Sequence, residues 1–112
     1  MQILKTNIDE TNKKAVYRLT KSESMQIQKV ERGTSIPVDN YALYEEENNK
    51  GELQTVLAFT SGGVKFSTIS KTFIRSFMEC VDLMEDEAFS IIVTGGETKS
   101  GRGFVNCELD CD

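Results

Sequence analysis

The chain has 112 residues, room for a single domain spanning 1–112 and no second. With 38% hydrophobic and 28% charged residues it reads as a soluble globular protein, and its net charge of −5 argues against a uniformly basic nucleic-acid binder. The opening Met1-Gln2-Ile3-Leu4-Lys5-Thr6-Asn7 has no apolar secretory region, and the longest aliphatic run, Ile91-Ile92-Val93, is too short to cross a bilayer; the expected location is the cytoplasm, with no membrane partner.

Along the chain, the first seven residues alternate weakly and are expected to fray. Ala15 to Thr20 alternates apolar and polar residues and predicts a strand, followed by a turn at Lys21 to Ser24. Met25 to Val30 predicts a second extended piece, closed by Glu31-Arg32-Gly33-Thr34, and Val38 to Glu46 a third. Asn48-Asn49-Lys50-Gly51 is a turn signal. Leu53 to Phe59 and Val64 to Ile69 flank Ser61-Gly62-Gly63 and predict a tight hairpin.

One helix is plain. Ser70 is a good N-cap, and Phe73, Ile74, Phe77, Met78, Val81 and Met84 recur at helical spacing before the pattern fades in Glu85-Asp86-Glu87. Phe89 to Thr94 and Gly103 to Leu109 then form a second hairpin across a polar, glycine-rich turn. The fold expected is mainly β: an OB-like five-stranded barrel with one α-helix, at about residues 70–84, between strands 3 and 4. An open antiparallel sheet with the helix across one face is the alternative.

The chemistry-bearing residues point away from catalysis. Cys80, Cys107 and Cys111 are an odd set that suits a reducing compartment, and Cys80 falls on the core face of the helix. Two cysteines near the end with no histidine anywhere make a poor zinc site, so no metal or cofactor is expected. Lacking histidine, the chain has no usual Ser-His or Cys-His pair, and no enzymatic constellation is expected. Gly96 to Gly103 resembles a phosphate loop, but Arg102-Gly103 stands where Lys-Ser/Thr belongs and a strand follows instead of a helix. A basic hairpin loop carrying Lys99 and Arg102 is the better reading.

Most acidic residues gather in Glu45-Glu46-Glu47 with Glu52, in Glu79 to Glu87, and in a short end at 108–112, leaving the remainder mildly basic. Stacking on nucleotides needs exposed rings beside cations. Tyr17-Arg18, Tyr41 with Tyr44, and Lys65-Phe66 meet that description on predicted strands, while Phe59, Phe89 and Phe104 are expected to fill the core.

Val64 to Thr72, Val81-Asp82-Leu83-Met84, Phe89-Ser90-Ile91, and Gly96 to Gly101 through Phe104 to Leu109 together resemble one family, the single-stranded DNA-binding proteins of small Bacillus phages that replicate by protein priming. The likeness runs from about Leu53 to Leu109. Its most specific parts are Ile69-Ser70-Lys71-Thr72 and the Gly96-x-Thr98-x-x-Gly101 turn; earlier it is confined to Gly33-Thr34 and Ala42-Leu43-Tyr44. The resemblance implies an OB-like fold, no enzymatic activity, and a role in coating displaced strands, with aromatic residues at the positions of Tyr44 and Phe66 associated with binding. Departures are Phe66 where the family pattern has Tyr, the extended acidic end Cys107 to Asp112, and the triple glutamate beside Tyr44.

The expected partner is therefore single-stranded DNA, with replication proteins alongside. Bases are expected to stack on Tyr44 and Phe66, with Tyr17 and Tyr41 as lesser candidates, while Arg18, Lys29, Lys65, Lys99 and Arg102 follow the phosphates. The net charge keeps a rival open: an acidic phage or mobile-element protein that inhibits a host protein by mimicking DNA, which requires acidic side chains along one continuous face.

Overall fold

The computed structural model describes residues 1–97 and 103–112. Strand β1 (Gln2–Thr6) opens the chain, and an Asp9 turn follows. The Asp9 carboxylate accepts from the Thr11 backbone N–H at 2.9 Å and from its hydroxyl at 2.7 Å. Asn12 then caps helix α1 (Lys13–Thr20), its side chain accepting from the Ala15 N–H at 3.1 Å.

Two further strands, β2 (Met25–Gln26) and β3 (Ser35–Val38), are separated by a 3₁₀ turn at Ile27–Lys29. Strands β4 (Asn40–Glu47), β5 (Leu53–Ser61) and β6 (Val64–Thr68) precede helix α2 (Lys71–Met84), and β7 (Phe89–Glu97) and β8 (Gly103–Leu109) end the fold. Among the described residues the strands form two sheets, ordered β1-β4-β5-β6-β2 and β3-β7-β8. All pairings are antiparallel except the short one between β2 and β6.

Only Asp39 separates β3 from β4, so one bent segment passes from the smaller sheet into the larger. Asp39 holds the bend, donating its N–H to the Thr60 carbonyl at 2.9 Å and accepting the Gly62 N–H on its carboxylate at 2.8 Å. The β5–β6 hairpin turns on Gly62 and Gly63, whose φ values of 56° and 85° suit a two-residue turn that side chains resist.

The core lies between the sheets. Phe59 is fully buried at its centre, with ring centroids 5.3 Å from Phe66, 6.3 Å from Phe73 and 5.1 Å from Phe77. Ile36, Ile91, Val93 and Cys107 face it from the smaller sheet, and α2 contributes Phe73, Phe77, Cys80 and Val81. Ser70 caps α2 by accepting the Phe73 N–H at 3.3 Å, and Glu85 ends it in a left-handed conformation (φ 46°).

A second, smaller cluster lies on the opposite face of the larger sheet. There Leu19 of α1 covers Ala42, Tyr44, Val56 and Ala58.

The mainly β class, the turn at Asn48–Gly51, both hairpins and the helix at 70–84 agree with the sequence reading. Three elements differ. The first residues are a paired strand instead of a frayed end. Ala15–Thr20 is helical, because Asn12 supplies a cap and the apolar outer face of β4 and β5 needs a cover that Leu19 provides. Met25–Val30 contributes only two residues to a sheet before the 3₁₀ turn. The expected barrel is also not closed: β6 and β8 form no ladder, and the 3₁₀ turn touches both across the seam.

Candidate nucleic-acid interface

The aromatic residues expected to meet bases divide sharply by exposure. Tyr44 is 3% exposed beneath α1, with its hydroxyl donating to the Thr20 carbonyl at 3.2 Å. Burial pushes its phenol up to about 12, and Glu46 adds to the shift. Phe66 is 9% exposed and stacked on Phe59. Tyr41 is buried edge-on against Phe77, and burial raises its phenol pKa while Lys5 opposes the rise.

The expectation that these three rings stand open is therefore corrected. Tyr41 and Phe66 point inward from the sheet, and α1 covers the outward-pointing Tyr44. Tyr17 is the opposite case: it is 65% exposed, on a helix instead of the predicted strand.

The cations gather more coherently. On α1, Lys13, Lys14 and Arg18 border a shallow hollow with Tyr17 and Ser22. A second hollow is lined by Glu23, Ser24, Met25, Gln26, Lys29, Val64 and Lys65, so one carboxylate stands among its cations. Lys65 ties the two together by donating from Nζ to the Ser22 carbonyl at 2.8 Å. That side chain is buried, unlike the exposed phosphate contact expected of it; burial lowers its pKa, and Glu46 opposes the shift. Ser24 and Ser67 hydroxyls, 2.7 Å apart, hold the intervening loop to β6.

Gln26 is shared with a third hollow at the seam, of about 560 Å³, which also contains Arg32 and Phe104. The sequence marks neither as a site candidate. It predicts a core place for Phe104, yet that residue is 43% exposed. Arg32 is separated from it by 72 positions, so nothing local in the sequence marks the pair. Lys99 and Arg102 lie outside the described residues.

Acidic side chains do not run along these hollows as one face. Glu45, Glu46 and Glu47 surround a hollow with Met1 and Leu53, and Asp39, Asp86 and Glu87 surround another beside Tyr41. Among the described residues the ion pairs are Lys5–Asp82 at 2.8 Å and Lys21–Glu46 at 3.6 Å. Lys13, Lys14, Arg18, Lys29 and Arg32 have no such partner there. No group of three potential metal ligands occurs among the described residues.

Shallow hollows edged by exposed rings and by cations without a carboxylate partner among the described residues have the chemistry that suits a flexible polyanion. The family model of phi29-type phage single-stranded DNA-binding proteins matches residues 1–110, and the chain belongs to that family. It is a single-stranded DNA-binding protein of phage replication. No curated protein and no solved structure matches the chain. No helix among the described residues is long and apolar enough to cross a membrane.

Proposed function

We propose that the protein coats strands displaced during replication without reading their sequence, and that the strand runs along the hollows from α1 past the Lys29 turn to the β6–β8 seam. The observation that carries this path is the row of cations without carboxylate partners among the described residues, Lys13, Lys14, Arg18, Lys29 and Arg32, with exposed Tyr17 beside its first members. Cations meet phosphates whatever the base, and a ring stacks on any base, so such a surface is indifferent to sequence. Its work lies in the host cytoplasm where phage DNA is copied, alongside the replication proteins that meet the same strand.

An OB-like fold fits the same reading. With β3 and β4 counted as one bent strand, the order is bent strand, β5, β6, α2, β7 and β8, which places a helix between the third and fourth of five strands. β1, α1 and β2 are then additions to that plan.

The test is fluorescence anisotropy of labelled oligo-dT, oligo-dC and mixed-sequence strands, with matched duplex, at two salt concentrations. Similar affinity for all single strands, weaker binding to duplex, and weakening with salt are the expected results. Preference for one sequence or for duplex overturns the proposal.

A further inference from the structure

We propose that the groove at the seam between β6 and β8 is a pocket for one nucleotide of the bound strand, with its base stacked on Phe104 and its phosphate held by Arg32. This rests on the reading of the chain as a coat for single strands and adds a defined subsite to it.

Arg32 is held in place before any ligand arrives. Its Nη1 donates to the Val30 carbonyl at 2.9 Å and the Gln28 carbonyl at 3.3 Å, and its Nη2 donates to the Phe104 carbonyl at 3.4 Å. A guanidinium has five N–H donors. Three such contacts to neutral carbonyls leave the positive charge uncompensated and two donors over, and no described carboxylate pairs with it. A pre-positioned arginine loses little side-chain freedom on meeting a phosphate.

The ring is also held. Phe104 lies against Gly96, where even a single added carbon would come within 3.3 Å of two ring atoms. At neighbouring Gly95 an added carbon would collide with the Phe104 carbonyl and the Arg32 side chain. On β7, Gly95 thus leaves room for the arginine stem and Gly96 for the aromatic ring. Phe104 is nonetheless 43% exposed, and it lines the groove.

The rest of the lining suits a base. Gln26 and Gln28 bring side-chain amides, each with donors and an acceptor, so they accommodate the edge of any base. Ser67 and Ser70 add hydroxyls, and exposed Ile69 adds an apolar contact. At about 560 Å³ the groove falls within the range of small-ligand sites. Charge complementarity selects the occupant: a fixed cation beside an open ring matches a nucleotide, whose phosphate and base need both.

The chain contains no tryptophan, so Phe104→Trp creates a single reporter in the pocket. Titrated with oligo-dT, its emission is expected to quench along the same curve as the anisotropy of the labelled strand. Phe104→Ala, and Phe104→Leu which keeps apolar bulk without a ring, are expected to weaken binding by roughly five- to a hundredfold. Arg32→Gln is expected to flatten the salt dependence by about 0.7 in log–log slope. Thermal melts confirm that each variant is folded. If the parent binds oligo-dT while the tryptophan emission stays unchanged and Phe104→Leu binds like the parent, the pocket is refuted and the wider reading stands. If the parent binds no single strand at all, both fail.

Discussion

Neutralising the cations of α1 provides a quantitative test of where the strand runs. Lys13, Lys14 and Arg18 are exposed, and none has a carboxylate partner among the described residues. Replacing all three with Gln therefore removes charge while leaving the core untouched, and Gln is well tolerated in helices. Each phosphate neutralised on a single strand contributes about −0.7 to the slope of log affinity against log salt. The parent row of Lys13, Lys14, Arg18, Lys29 and Arg32 has an expected slope of about −3.5, and the variant about −1.4. Between about 50 and 200 mM salt the parent then loses affinity by about 130-fold and the variant by about sevenfold. Anisotropy of labelled oligo-dT across that range measures both slopes. A variant slope equal to the parent's, with the melting temperature unchanged, removes α1 from the interface and refutes the proposed path.

Other outcomes follow from the packing. Phe59→Ala empties the centre of the aromatic cluster and is expected to cost about 3–5 kcal/mol of stability in urea unfolding; a loss under about 1 kcal/mol would contradict the central place of that ring. Tyr44→Phe deletes the bond to the Thr20 carbonyl and is expected to cost about 1 kcal/mol while leaving oligo-dT affinity unchanged. Because the folded phenol titrates at about 12 and an unfolded one near 10, the unfolded chain holds fewer protons in that interval. Tyr44 stabilises the fold fully below pH of about 10, and its contribution is lost as pH rises through about 12. Cys107, whose thiol burial also pushes up to about 12, adds to the alkaline loss, so melting temperatures of the Tyr44→Phe variant should fall less steeply with pH than the parent's. Gly95→Ala drives a carbon into the Phe104 carbonyl and the Arg32 stem, with an expected cost of about 1–3 kcal/mol in the same unfolding assay.

What was legible in the sequence was whatever local chemistry specifies. Ser70 and the apolar spacing from Phe73 to Met84 suffice for α2, because a cap and a helical stripe act within a few turns. Gly62-Gly63 suffices for the β5–β6 hairpin, because only glycine readily takes both positive φ values. The motifs from Val64 to Leu109 also carried the family likeness.

Tertiary structure decided the rest. Whether Ala15–Thr20 became strand or helix depended on the apolar outer face of β4 and β5, to which residues far along the chain contribute. The aromatic candidates followed the same rule. Alternation along a strand tells which rings share a face, but not which face is covered: α1 buries Tyr44, the core takes Phe66 and Tyr41, and Phe104 stays open at a seam where the sheets fail to join. Arg32, in a turn, and Phe104, on β8, meet through a backbone carbonyl across 72 positions, and the two glycines that make room for them lie on β7. Local residue preferences determine elements, whereas exposure is a property of what packs over them, so the interface became visible only once the chain had closed around its core.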